Sequence, residues 1–425
     1  MLVYVSPARA TPTGRNFDHI VTIVMENTGL ADICGLSSPP CDGSSFGTQY
    51  MASLANSNSL ALHYLSIGHP SMINYLALFS GQTWGCTDDV DPNSGGCTTA
   101  IWNSQASNLA DYLDSVSVTW KAYMENMTSN CQTTDVQTYV QRHDPFVYFN
   151  DIVGNPSRCA QVVPAGTSGQ LDNTLLSDLG STSAPGFMWL TPNLCDDMHD
   201  ICTGTNNQIS TGTCTSAQEA QCLPVGNNYL ANLVPNILNS YTFTNSNSAL
   251  FITFDEGNGF CTNGNSNDDC LYTVFAGTSV KTGYTSTQTY DHYSYLATLE
   301  NNWSFNCIVA GNDCSANNMS EFFVGTPTFT LTPTIWSCTL INGCQMPFTV
   351  TSQYGFSGTV SFRAVFLPSG DVASFTPSTV SLTNGSHGTT SMMITGPCVG
   401  SARPAVWASS GSITQTSNGH FVCVQ

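Results

Sequence analysis

The sequence predicts an α/β core, a doubly wound and mostly parallel sheet with helices on both faces, followed by a smaller all-β domain. Three observations predict it. Two short apolar runs, HIVTIVM from His19 and ALFITF from Ala249, each end abruptly in a polar pair, Glu26-Asn27 and Asp255-Glu256. Such near-continuous apolar runs, β-branched in the first, mark strands covered on both faces, and a parallel sheet carries its chemistry at the strands' carboxyl ends. Between the two runs, short apolar stretches alternate with helical periods. Past about Thr326 the texture changes to short alternating strands broken by Gly, Pro, Ser and Asn. That pattern reads as an immunoglobulin-like β-sandwich of roughly a hundred residues. The expected divisions are a tail at 1–16, the core at 17–326 and the sandwich at 327–425.

Composition bounds the rest. With 425 residues, 41% of them hydrophobic, the chain can bury a large core. Eight Lys and Arg against 28 Asp and Glu give a formal charge of −20, which excludes a phosphate-tracking nucleic-acid surface and disfavours anionic membranes. Only 8% of residues are charged, so the polar surface is built from Ser, Thr, Asn and Gly, a composition suited to an acidic exterior. Eighteen cysteines point to an oxidising compartment. Their spacing suggests local staples at Cys34/Cys41, Cys86/Cys97, Cys195/Cys202, Cys214/Cys222, Cys261/Cys270, Cys307/Cys314 and Cys338/Cys344, with Cys131/Cys159 and Cys398/Cys423 as wider pairs. Zinc ribbons need tight CxxC knuckles, which the chain lacks. MLVYVSPARA is the remnant of a secretory signal or a plain tail. No run reaches membrane-spanning length, and sequons at Asn126, Asn302, Asn318 and Asn384 are compatible with export.

Taken in order, the Glu26-Asn27 strand leads through a Gly/Ser/Pro/Cys loop to a helix through Met51, Leu54 and Ala55. In GHPSMINYLALFSGQ, Gly68 to Pro70 form a turn, a helix begins at Ser71, and Gly81 ends it. A serine there is ordinarily an N-cap, but a helix N-terminus is also an anion site. Its hydroxyl could attack a bound phosphate while Asn74 faces the same ligand. Gln105–Val116 reads as helix, Val118–Met124 as strand, Leu171–Leu179 as helix and Phe187–Leu190 as a buried strand. That strand runs into TPNLCDDMHD, where His199 lies among three carboxylates as a proton donor or a metal ligand. Tyr229–Leu238 is a helix interrupted by Pro235, Leu271–Ala276 a strand, and YDHYSYLATLENNW the last core helix, with Asp291 and His292 at its start.

The ordered set HIVTIVMEN, GHPSMINYLALFSG, TWKAYMENM, RHDPFVYFNDI, TPNLCDDMHD, LFITFDEG and DHYSYLATLENNW resembles the phosphoesterase family. That family includes acid phosphatases and non-haemolytic type phospholipases C, within the alkaline phosphatase superfamily. The resemblance covers His19 to Trp303 and leaves the sandwich outside. It implies that Glu26, Asn27, Asp255 and Glu256 hold one divalent metal ion, that Ser71 is the nucleophile, and that Asn74 holds a phosphoryl oxygen. His199 then resembles the leaving-group acid, with His143, His292 and His69 lining the pocket. The superfamily's two-zinc members carry a PD…H element where this chain reads Pro192-Asn193, so one metal is expected. An oxygen-dominated ligand set suits calcium, magnesium or manganese.

Two functional classes follow. One is a secreted, metal-dependent phosphoesterase acting on phosphate esters through a phosphoserine, with monoester and diester or phospholipid substrates both open. The other is an extracellular structural or adhesive protein retaining the fold and self-associating through its sandwich. Retention of Ser71, His199 and both acidic pairs together favours the enzyme.

Overall fold

The computed structural model describes residues 14–35, 39–91, 106–166, 172–204, 209–257, 261, 269–308, 312–333, 337–339, 343–367, 369–396, 401–402, 405–418 and 421–422. The chain divides into two compact units, Met1–Ala316 and Asn317–Gln425.

The strands of the first unit are β1 (His19–Met25), β2 (Ser59–Leu65), β3 (Trp120–Met124), β4 (Val162–Pro164), β5 (Phe187–Thr191), β6 (Asp200–Thr203), β7 (Ile209–Thr213), β8 (Ser248–Phe254), β9 (Thr273–Ala276) and β10 (Tyr284–Asp291). Eight form one sheet in the order β10-β2-β9-β8-β1-β5-β3-β4, and β6 pairs with β7 in a separate hairpin. Five of the sheet's seven pairings are parallel; β9 runs antiparallel to both its neighbours. The fold is thus mixed α/β around a large, mostly parallel sheet. β1 lies inside it between β5 and β8, and Ile20, Val21, Ile23, Val24 and Met25 are fully buried. That is the condition under which an apolar run without alternation forms a strand. The register pairs Met25 with Phe254, so Glu26 and Asp255 leave the sheet side by side, and the Asp255 N–H donates to the Met25 carbonyl at 2.9 Å.

After β2 comes the helix Ser71–Ser80, every residue of which is buried. It stops at Gly81, whose φ of 71° is left-handed; a Cβ there would meet Asp313 Oδ1 at 2.3 Å, so only glycine fits. β2 and β10 lack the β-branched apolar run that marks the inner strand β1. SLALHYL is rich in helix-formers, and YTSTQTYD is a polar strand at the sheet's edge, where half-exposure removes the need for apolar residues. The helix expected at Tyr229–Leu238 spans Glu219–Leu238, and Pro235 does not interrupt it. A proline inside a helix costs about 3 kcal/mol. Burying Leu230, Leu233, Val234 and Ile237 along one face offsets that cost.

Six of the expected disulfides are present: Cys34–Cys41, Cys131–Cys159, Cys195–Cys202, Cys214–Cys222, Cys261–Cys270 and Cys307–Cys314. The Cys86/Cys97, Cys338/Cys344 and Cys398/Cys423 pairings and the 1–10 segment lie outside what the described side chains cover. Three sequon asparagines are buried and bonded: Asn126 donates to Thr138, Asn302 to the Phe17 carbonyl, and Asn318 to the carbonyls of Ser352 and Gly385. The folded chain presents none of these three amides to a glycan. Among the described residues no helix is long and apolar enough to cross a membrane.

The second unit is antiparallel. Its strands are β11 (Thr328–Pro333), β12 (Ser337–Thr339), β13 (Gly343–Gln353), β14 (Gly358–Val365), β15 (Val372–Thr376), β16 (Thr379–Leu382), β17 (His387–Thr395), β18 (Ser401–Ala402), β19 (Ala405–Ser410), β20 (Ile413–Asn418) and β21 (Phe421–Val422). One sheet orders β11-β13-β17-β15 with β12 on β13; the other orders β16-β14-β19-β20. Phe329 and Val350 of the first pack with Val360, Val380, Leu382 and Ala408 of the second, so the two sheets share a core.

Candidate functional site

The site grows from the adjacent ends of β1 and β8. Glu26 follows Met25 and is wholly buried. Its Oε2 accepts from Ser71 Oγ at 3.1 Å, and its Oε1 from Tyr75 Oη at 2.7 Å. Asn27 sits at φ 53°, a left-handed conformation that asparagine tolerates, and this turns its N–H onto Asp255 Oδ1 at 3.1 Å. Ser71 and Tyr75 are four residues apart on one helix and therefore share a face. Asn74 is committed to its own turn and to Glu256: Oδ1 accepts from Ile67 N at 2.9 Å, while Nδ2 donates to the Gly68 carbonyl at 2.7 Å and to Glu256 Oε2 at 3.3 Å. The first-turn N–H groups expected to cradle an anion are also engaged, Met72 with Asp89 at 3.0 Å and Ile73 with the Pro70 carbonyl at 3.3 Å. Glu26, Asn27, Ser71, Asn74, Asp255 and Glu256 are nonetheless brought together from three separate parts of the chain.

The histidines divide. His143 is buried, stacked on Tyr75 with ring centroids 5.4 Å apart, its Nε2 3.4 Å from Glu26 Oε1 and its Nδ1 3.7 Å from Asp197 Oδ2. Burial, then nearby Arg142, hold it well below the usual imidazole range. His199 Nδ1 lies 2.6 Å from Asp200 Oδ1, and its ring centroid is 5.5 Å from that of His143. His292 lies behind Asp255: Nε2 donates to the Asp255 carbonyl at 2.6 Å, leaving Nδ1 to accept from Tyr64 Oη at 3.2 Å. Its ring is fully buried, and burial lowers its pKa to about 4. His69 is the exposed one, 3.1 Å from Glu256 Oε1 and 3.5 Å from Asp269 Oδ2; its bond to Glu256 raises its pKa to about 9.

Burial pushes Glu26 and Asp255 well above the carboxylate range, with neighbouring carboxylates adding to the effect, and Asp197 behaves alike. Asp255 Oδ2, Asp197 Oδ2 and His143 Nε2 are buried without a hydrogen-bond partner. Orphaned buried acceptors of this kind are costly unless a ligand satisfies them. Glu26, His143 and His199 each offer a ligand atom, all within 4.8 Å of one another. Carboxylate, amide and hydroxyl oxygens with a neutral imidazole make a donor set that fits a divalent cation. A second cluster, Cys307, Asp313 and Cys314, fits none through its sulfurs, because the two cysteines are joined in a disulfide. Asn193 is spent on carboxylates: its backbone N–H donates to Glu125 at 3.0 Å and its side-chain amide to Glu125 and to Asp196.

The sequence motifs marked Asp197 only as one of the carboxylates around His199 and gave no role to Tyr75, Tyr64 or Asp269. Asp269, which accepts from Gly257 N at 2.9 Å and Ser66 Oγ at 2.7 Å, follows a stretch of sequence rich in Asn and Gly that carries no periodic signal.

A cleft of ≈ 300 Å³ opens beside these groups, lined by Asn27, His69 and Glu256 on one side and by Thr213, Thr215, Ser216 and Glu219 on the other.

Residues 44–306 match the family model described as the phosphoesterase family. The chain is 26% identical over 313 residues to a phosphate-repressible acid phosphatase of Penicillium chrysogenum, covering 72% of this chain and 63% of that one. It is 26% identical over 276 residues to an acid phosphatase of Aspergillus fumigatus, covering 62% and 52% respectively. A phosphatidylinositol-3-phosphatase of Mycobacterium tuberculosis is 29% identical over 294 residues, covering 69% of this chain and 78% of that one. The chain thus spans under two thirds of the length of the two fungal relatives. A family match over more than half the chain, spanning Ser71, Asp255 and Glu256, places this protein in the phosphoesterase family.

Proposed function

We propose that this chain is a phosphoric monoester hydrolase of the acid phosphatase kind, with Ser71 as nucleophile and one divalent cation held by Glu26, Asn27, Asp255 and Glu256. The observation that carries the reading is the Ser71 hydroxyl, at the start of a buried ten-residue helix, donating to Glu26 at 3.1 Å beside an unpartnered Asp255 oxygen. The names of the relatives support the same class. A bound cation would supply charge neutralisation at the phosphoryl oxygens and acidify the serine hydroxyl.

The chain's own residues divide the remaining work. Glu26 accepts the Ser71 hydroxyl's hydrogen bond and orients Oγ towards phosphorus, and the Ser71 proton passes to a phosphoryl oxygen of the substrate as Oγ bonds to phosphorus. The ester P–O bond breaks, and His199, oriented through Nδ1 by Asp200, protonates the departing alkoxide. Water then attacks the phosphoserine, His199 takes the water proton, and Ser71 recovers its own as inorganic phosphate leaves. His143 stacks on Tyr75 beside Glu26. His292 positions Asp255 through its carbonyl. Asn74 holds the 67–68 turn against Glu256, and His69 presents positive charge at the rim.

Export is part of the reading, supported by the six disulfides. So is an immunoglobulin-like form for the second unit, supported by its two antiparallel sheets over one core. The test is phosphate release from p-nitrophenyl phosphate across pH, after chelation and re-addition of calcium, magnesium or manganese. Ser71→Ala should lower turnover by at least about a thousandfold while retaining cation binding, and His199→Ala should slow alkyl esters more than aryl ones. Parent-rate hydrolysis by Ser71→Ala would sink the mechanism.

A further inference from the structure

We infer that the cleft beside the site receives the neutral, hydroxyl-bearing alcohol portion of a phosphomonoester and rejects substrates carrying a second phosphate. The inference rests on the phosphomonoesterase reading above and adds a substrate class to it.

The cleft joins two different surfaces. One side belongs to the site itself, with Asn27, His69 and Glu256. The other is built by the end of β7 and the start of the helix Glu219–Leu238, which bring Thr213, Thr215, Ser216 and Glu219. That second side is fixed in place. The Cys214–Cys222 disulfide ties it to the helix, and the Cys214 N–H donates to the His199 carbonyl at 2.7 Å, which couples it to the residue that protonates the leaving group. Thr215 Oγ1 donates to Gln218 Oε1 at 2.7 Å, so its remaining capacity is as an acceptor. Met198 and Leu223 add apolar surface, suited to the C–H face of a polyol or sugar ring.

Charge decides what the cleft refuses. Its lining holds two carboxylates, Glu219 and Glu256, and one cation, His69, which is engaged by Glu256 and Asp269. Among the described residues neither lysine nor arginine lines it. A second phosphate on the leaving group would therefore face Glu219, with His69 already engaged by two carboxylates, in a chain of net charge −20. Neutral hydroxyls meet the opposite situation, since three hydroxyl side chains and a carboxylate offer them partners.

The full chain, supplied with one divalent ion, is tested by calorimetric binding and by kcat/KM, using glucose 6-phosphate, fructose 1,6-bisphosphate and p-nitrophenyl phosphate. Glucose 6-phosphate should exceed the bisphosphate at least tenfold in both measurements. Glu219→Lys should narrow that ratio at least threefold, chiefly through KM, and Thr215→Val with Ser216→Ala should lower the preference for the sugar phosphate over the aryl ester. Equal binding of mono- and bisphosphate by the parent, no binding of either, or a ratio indifferent to Glu219→Lys overturns the inference. A parent that binds the sugar phosphate selectively yet never releases phosphate leaves the cleft's preference standing and refutes the hydrolase reading, so the two failures are distinct.

Discussion

Tyr75 shows how one residue makes the site tenable. Its hydroxyl donates to Glu26 Oε1 at 2.7 Å, its ring stacks on His143, and the bond opposes the burial that drives Glu26 towards protonation. Tyr75→Phe leaves that carboxylate oxygen without its donor, an expected loss of about 1–3 kcal/mol. Urea unfolding should show a lower midpoint at unchanged slope, and manganese titration should show weaker binding, because a more readily protonated Glu26 is a poorer ligand. Unaltered midpoint and affinity would make the bond incidental. Glu26, Ser71 and Asp255 were legible in the sequence because each stands at the abrupt end of an apolar strand or at a helix start. Tyr75 was hidden by its apolar surroundings, where an aromatic reads as core, and Asp269 by a stretch of sequence without pattern.

At the scale of elements, the helix His292–Trp303 and the turn Asn312–Ser315 meet through two buried carboxyls, Glu300 and Asp313. Burial, then the bond with Asp313, raises the Glu300 pKa well above its ordinary value. The folded chain therefore binds this proton more tightly than the unfolded one. The resulting stability is fully present below the unfolded pKa, about 4.3, and is lost as pH rises through the raised folded value. Within that window each pH unit changes stability by about 1.4 kcal/mol per proton. Glu300→Gln, whose amide can still donate to Asp313, should flatten the dependence and be more stable than the parent at pH 7; urea midpoints from pH 4 to 7 measure both. The staples act at this scale too. Cys131 and Cys159 lie 28 residues apart, and replacing both with serine should cost about 3.5 kcal/mol, against about 2.4 kcal/mol for the seven-residue Cys34–Cys41 loop. Equal losses in calorimetry would contradict the loop-closure account.

Across the whole molecule, every candidate site residue falls in the first compact unit, Met1–Ala316. Residues 317–326 go with the second unit, where Asn318 bonds the Ser352 and Gly385 carbonyls and Tyr354 N–H donates to Ser320 Oγ. A chain ending at Ala316 should therefore fold and hydrolyse p-nitrophenyl phosphate within about threefold of the full-length rate, since a unit with its own core can stand alone. Circular dichroism and the same kinetic assay check this, and a folded but inactive fragment would assign the second unit a part in the chemistry.

The sequence by itself determined the elements whose signal is local. These are the buried strands β1, β5 and β8, the helix from Ser71 to its Gly81 stop, the five short-range staples and the change to an all-β texture, because burial on both faces, capping and loop closure act over a few neighbouring residues. The tertiary structure alone decided what depends on partners distant in the chain. β10 is a strand only because β2 lies beside it, and Pro235 stays helical only because its neighbours bury an apolar face. His292 serves Asp255 from behind because the register of β8 puts that carbonyl within 2.6 Å of its ring. The Met25–Phe254 register carries most of this division. Each run announces a strand ending in carboxylates, but only hydrogen bonds across more than two hundred residues of chain set those carboxylates side by side.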